Sequence, residues 1–249
     1  MAGHSHAKNV MHSKGKADAQ KSKIFVKLSR EITVAAKLGG PDPAMNARLR
    51  SAIIAARTEN MPKDKIENAI KNAQVNTAGA EFQSVRYEGY GPGGVAMIVE
   101  ALTDNRNRTA PDVRSAFSKH GGNLGESGSV AFMFDHIGQV VLPARAGTAD
   151  AVFEIALEAG AENVDSTDAR HVITTSVEGF AAVRDALESK FGAPERAGLI
   201  WQPNVTSAPN EEQTVSLLKL MDVLEDNDDV QHVFANFELS EEMLQRLTS

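Results

Sequence analysis

The residues best suited to chemistry in this 249-residue chain are its cations, and the chemistry they suit is phosphate binding. Lys8, Lys14, Lys16, Lys21, Lys23, Lys27 and Arg30 fall close together near the start of the chain. A polyanion rewards such a run through release of its condensed counterions, with no base contact needed. Lys37 continues the series, and Arg48, Arg50 and Arg57 follow. Arginine adds a planar fork that meets phosphate with two hydrogen bonds. On a helix, Lys23, Lys27, Arg30 and Lys37 fall within an arc of about 80°. Ile24, Leu28, Ile32 and Ala35 form the opposite stripe.

A second cationic group is Asp104-Asn105-Arg106-Asn107-Arg108-Thr109. It reads as a polar loop between a strand and a helix, with Thr109 as the cap. Arg106 and Arg108 would meet phosphate beside the helix amides. The competing reading has them bridge to Glu88, Glu100 or Glu126.

Other chemistries find less support. There is no cysteine, so disulfides, thiolate nucleophiles and cysteine–zinc sites are excluded. His4, His6 and His12 lie in a polar segment that offers no preorganised ligand geometry, so no metal is expected. The glycines at 89, 91, 93 and 94, and at 121, 122, 125 and 128, match neither phosphate-loop spacing and read as tight turns. Neither a Ser–His–Asp spacing nor a carboxylate pair stands out, so no enzyme and no cofactor are expected. Phe25 is the one aromatic residue before residue 76, which argues against a base-stacking platform there.

Net charge is −7 overall, but residues 1–75 hold 14 Lys/Arg against 6 Asp/Glu, a net of +8. The remainder therefore carries −15. That asymmetry points to a basic module joined to acidic ones. No apolar run is long enough to cross a membrane, and no secretory leader is visible, so the expected location is cytoplasmic.

Three elements must present the cations. Residues 1–16 read as a mobile basic arm. A helix over Ala17–Leu38, stopped by Gly39-Gly40, comes next. A second helix opens at Asp42-Pro43 with Met45, Leu49, Ile53 and Ala56 inward, and a third follows Asn60-Met61-Pro62 with Ile66 and Ile70 inward. Beyond residue 76 strands alternate with helices. Tyr87–Gly94 reads as turns, Val95–Leu102 as a strand, and Thr109–His120 as a helix. Ser129–Phe134 and Gln139–Leu142 read as strands joined by a turn at Asp135–Gly138. Helices are expected at 148–159, 179–191 and Thr214–Glu225, and extended segments at Arg170–Val177, Gly198–Pro203 and Val230–Leu239. The predicted division is a helical domain at 1–76, an α/β domain at 77–136 plus 209–249, and an inserted α/β domain at 137–208.

Several of these segments resemble the YebC/PmpR family. They are Gly3-His4-Ser5, Lys23-Ile24-Phe25, the stretch from Arg30 to Ala36, Asn60 to Asp64, Tyr87 to Gly94, Thr103 to Thr109, and Gly121 to Gly125. The resemblance spans the chain and is densest before residue 135. It implies an α+β protein with a three-helix domain followed by two α/β, ferredoxin-like domains, the third inserted in the second. It implies no catalysis. Bacterial members are described as DNA-binding transcriptional regulators; other members look like ribosome-associated translation factors, and the mitochondrial relatives are translational activators of cytochrome c oxidase subunit I. Duplex DNA is therefore the first expected partner and ribosomal RNA, with the ribosome, the second. The chain departs from the family at His6-Ala7, where Lys-Trp is usual.

Overall fold

A computed structural model describes residues 17–75, 81–239 and 243. The expected arm, with Lys8, Lys14 and Lys16, lies outside the described residues. The described chain is α+β, with seven helices and two four-stranded sheets. It divides into two compact units. One gathers residues 17–27, 81–135 and 202–239; the other gathers 28–75 and 136–201.

Helix α1 (Ala17–Gly39) has no proline or internal glycine and contributes to both units. It ends where Gly40 takes φ +88°, a left-handed conformation that glycine adopts without a Cβ clash. Ile32 and Ala35 are buried as expected, but Ile24 is 37% exposed.

Helix α2 (Ala47–Thr58) starts later than Asp42-Pro43 predicted, and Asn46 is its cap. Asp42 is engaged in a turn, accepting the Ala44 amide at 2.9 Å. Asn46 does what a carboxylate cannot: it accepts the Leu49 amide at 3.0 Å while donating to Ala35 O at 2.7 Å and Gly40 O at 2.8 Å. Met45, expected inside, is consequently outside the helix and 84% exposed. Helix α3 (Lys63–Val75) follows Asn60 at φ 56°, and Ile66 is buried. Thr33 Oγ1 donates to Ala69 O at 3.0 Å, joining α1 to α3.

The first unit is built on an antiparallel sheet. Strand β1 (Gln83–Gly91) pairs with β2 (Val95–Thr103), residue for residue, from Gln83↔Thr103 to Gly91↔Val95. The Tyr87–Gly94 stretch is thus mostly strand, not turn. Gly89 is there for close approach: a Cβ on it would meet Asn123 O at 2.6 Å. Only Pro92–Gly94 turns. Helix α4 (Arg106–Lys119) leads to the two-residue strand β3 (Asn123–Leu124).

Helix α7 (Glu211–Asp226), closed at its start by an Asn210/Gln213 capping box, leads to β8 (Val230–Ala235). The order β3-β1-β2-β8 brings β8 beside β2. Val95, Met97 and Val99 pack with Val113, Phe117, Leu217 and Leu220 under α4 and α7.

Strand β4 (Phe134–Pro143) runs straight through the expected Asp135–Gly138 turn. Gly138 serves packing instead, because a Cβ on it would overlap Phe180. The expected Ser129–Phe134 strand is a 3₁₀ turn at Ala131–Met133.

In the second unit α5 (Ala149–Glu158), β5 (Asn163–Ser166), β6 (Arg170–Thr175), α6 (Phe180–Phe191) and β7 (Arg196–Pro203) complete a βαββαβ run. Its order, β5-β6-β4-β7, is the ferredoxin-like arrangement. Val140, Leu142 and Ile173 pack against Val152, Val183 and Leu187.

Candidate nucleic-acid interface

The basic face of α1 exists, but it is not bare. Lys23 Nζ lies 3.0 Å from Asp226 Oδ1, and Lys27 Nζ donates to the carbonyl of Glu225. Both acceptors sit at the C-terminal end of α7, where unsatisfied carbonyls and the helix dipole attract cations. Lys21 is exposed and lies 5.9 Å from the Phe25 ring centre. Arg30 is half-buried, and Lys37 is exposed on the last turn.

The arginines of α2 are also engaged. Arg48 grips Glu31 with two bonds, 2.7 and 3.1 Å, and the Glu31 contact raises its pKa above the usual arginine value. Arg50 donates to Pro43 O and Ala44 O, both at 3.0 Å, and its Nη1 lies 2.7 Å from Asp185 Oδ2. Arg57 is exposed on the last turn. Arg184, which the sequence reading passed over, is fully buried on α6. It donates to Ala47 O at 3.1 Å and Ser51 Oγ at 2.7 Å at the start of α2, and twice to Asp185. A buried guanidinium is tolerated because each side of its fork has an acceptor.

The Asp104–Thr109 segment differs most from expectation. Asn105, not Thr109, caps α4: its side chain accepts the Arg108 amide at 3.2 Å. Arg106 and Arg108 therefore sit in the first helical turn rather than on an extended loop. Thr109 is buried, and its Oγ1 donates to Asp229 Oδ2 at 2.7 Å. Thr103 Oγ1 reaches the same oxygen at 3.2 Å and Thr109 at 2.8 Å. Arg108 Nη2 bridges Asp229 at 2.7 Å and Asp104 at 2.9 Å.

Asp229's hydrogen bond is the first cause of the raised Arg108 pKa, with Asp104 next. Arg108 thus bridges to acids, though not to Glu88, Glu100 or Glu126. Arg106 is exposed over a shallow depression lined by Gln83 and residues 104–107. Burial raises the Tyr87 phenol, an effect that Arg106 opposes and Asp229 reinforces.

A third polar cluster was invisible in the sequence. Glu88 is buried in the middle of β1 and accepts the amides of Val130 and Ala131, each at 3.0 Å, with Arg86 Nε 3.0 Å from its other oxygen. Desolvation pushes its pKa up, but the amides of Val130, Gly128 and Ala131 together with Arg86 outweigh it, and the net shift is downward. Among the described residues no group of His, Asp or Glu has metal-binding geometry, and no helix is long and apolar enough to cross a membrane.

Of the ten expected phosphate contacts within the described residues, Lys21, Lys37, Arg57 and Arg106 are exposed and Arg30 is half-buried. The structure ties Lys23, Lys27, Arg48, Arg50 and Arg108 to carboxylates or carbonyls.

Residues 5–76 match the family described as the TACO1/YebC protein N-terminal domain. Residues 82–237 match a transcription-regulator family described as the TACO1/YebC second and third domain. A crystal structure of a conserved hypothetical protein, Aq1575 from Aquifex aeolicus, is similar at 47% identity, with a TM-score of 0.80. The match covers 95% of this chain and 98% of that one.

Proposed function

This chain belongs to the TACO1/YebC family, a family of regulators, and we propose that it is a non-enzymatic, cytoplasmic regulator of gene expression that binds nucleic acid through its basic helical domain. The reading divides the chain into a helical domain at 1–76, an α/β domain at 77–136 plus 209–249, and an inserted domain at 137–208. One observation carries it: a net +8 over residues 1–75 against −15 over the rest. Duplex DNA is the proposed partner, contacted along its phosphates. Lys21, Lys37 and Arg57 are the exposed candidates, with Lys8, Lys14 and Lys16 outside the described residues. Lys23, Lys27, Arg48 and Arg50 would bind only by exchanging their present partners for phosphate.

A second reading, ribosomal RNA, is favoured by the acidic remainder, since one basic domain can enter an RNA-lined cleft while acidic domains stay outside it. Titrating the full chain against duplex DNA and structured RNA at several salt concentrations tests both. If roughly six phosphates are neutralised, log K falls against log salt with a slope near −5. A salt-independent interaction, or no binding to either polymer, refutes the proposal. Sedimentation of a lysate decides between partners: co-migration with ribosomal subunits supports RNA, and enrichment on promoter DNA supports duplex.

A further inference from the structure

The turn between α1 and α2 carries two large apolar side chains that no core claims. Leu38 is 72% exposed and Met45 is 84% exposed, the two highest values among the exposed large hydrophobic residues of the described chain. A mobile loop would collapse such side chains onto the nearest apolar surface. This loop is pinned instead. Asn46 ties it to Ala35 and Gly40, Arg50 holds the carbonyls of Pro43 and Ala44, and Asp42 fixes the Ala44 amide. Gly39 makes room for the tethering side chain, since a Cβ there would meet Asn46 at 2.6 Å. Exposed Lys37 stands beside Leu38. The result is a stiff, proline-containing tip with apolar flanks and a cation at its base.

We propose that this tip is a wedge for a duplex DNA base step, with Leu38 and Met45 entering from the minor groove and Lys37 meeting the adjoining phosphate. The inference rests on the nucleic-acid reading above and adds a physical consequence, bending of the duplex. Leucine, methionine and proline are the side chains that part base steps from the minor groove, kinking the helix by about 20–90°. Stiffness is needed, because a loop that yields cannot transmit force against stacking. Charge complementarity favours a polyanion, since the tip belongs to the +8 segment; a second copy docking its acidic surface there would show as self-association of the full chain without DNA, and self-association abolished by Leu38→Ser, Met45→Ser would overturn the wedge. Unpaired RNA bases are captured by aromatic rings or arginine planes. The tip has no aromatic residue, and the guanidinium of Arg50 is occupied.

The test uses the full chain, an end-labelled DNA duplex read by energy transfer, a folded RNA hairpin and anionic vesicles. Wild type should shorten the end-to-end distance of the duplex. A Leu38→Ser, Met45→Ser double variant should bind the duplex about tenfold more weakly, as expected for loss of apolar burial. It should keep the wild-type salt slope and leave the DNA straight, with an unchanged melting temperature because both side chains are exposed. Lys37→Gln should do the reverse, keeping the bend and reducing the slope by about 0.9. Duplex binding without bending, or a double variant that still bends, overturns the wedge and leaves the nucleic-acid reading intact. If the double variant loses RNA or vesicle binding and not duplex binding, the tip serves that partner and the wedge falls. Absence of binding to either nucleic acid overturns both proposals.

Discussion

Replacing Asp229 by alanine should loosen the start of α4, by an amount the geometry sets. One carboxylate oxygen accepts three side-chain bonds: Arg108 and Thr109, each at 2.7 Å, and Thr103 at 3.2 Å. A bond to a charged acceptor contributes about 1.5–3 kcal/mol, but the three are not lost independently. With the carboxylate gone, the Thr109 hydroxyl turns its one proton to Asn105 O at 3.1 Å, Thr103 donates to Thr109 at 2.8 Å, and Arg108 retains Asp104. Only part of the sum disappears, so Asp229→Ala should cost about 2–4 kcal/mol. For a chain of this size that is a fall in melting temperature of roughly 5–12 °C. Amide exchange localises the loss, with protection falling first over Asn105 to Thr109. Arg108→Gln should cost less, because the guanidinium is half exposed and the buried Asp229 carboxylate that it leaves keeps the Thr103 and Thr109 hydroxyls. If Arg108→Gln matches Asp229→Ala, or if Asp229→Ala changes nothing, the buried network does not anchor the helix and this reasoning fails.

Four further outcomes are expected. Glu88 has a depressed pKa, so its stabilising contribution is present above the ordinary glutamate value and is lost as pH falls through the depressed one; urea midpoints of wild type and Glu88→Gln should therefore converge toward acid, and a constant gap would refute the assignment. Asn46→Ala removes a cap and two tethers to α1 and should cost about 2–3 kcal/mol by urea unfolding. Arg184→Ala takes the donor from Ala47 O and Ser51 Oγ while Asp185 keeps Arg50, and should cost about 2–4 kcal/mol, and a loss below that of Arg57→Ala would sink the idea that it clamps α6 to α2. Gly138→Ala forces a Cβ onto Phe180 and should cost about 1–3 kcal/mol, seen as an earlier melt.

The elements legible in the sequence were those whose signals are local. The three N-terminal helices, α5 and α6 follow from apolar spacing and from Gly40 or Thr148 at their ends. Local signals also explain the misreadings. Asp42 and Thr109 are good caps by residue type, yet Asn46 and Asn105 cap the helices, each accepting the amide three residues on, from Leu49 and Arg108. The glycines of β1 and Gly138 resemble turn residues until the strand or ring packed against each is known. Strand β5 is short, polar and at a sheet edge, so it has no alternation to detect.

The site was harder to read, for a reason that applies to any basic stripe. Cations spaced along one helix face are compatible with phosphate and equally with acids from elsewhere in the chain. Asp226 lies some two hundred positions beyond Lys23, and Asp185 lies far beyond Arg50; periodicity carries no information about either. These pairings change what salt titration should reveal. A lysine already beside a carboxylate must give up that partner before it meets phosphate, so one contact is exchanged for another. Its net gain is small unless the freed acid is rehydrated at low cost. Asp226, with a side chain 63% exposed, meets that condition; Glu31, 27% exposed and held by both arms of Arg48, does not. Lys23→Gln should therefore weaken binding to the nucleic-acid partner with little loss of stability. Arg48→Gln should lower stability and leave affinity per folded molecule unchanged. Measured together by anisotropy and urea unfolding, the opposite pattern would place Arg48, not Lys23, on the phosphate.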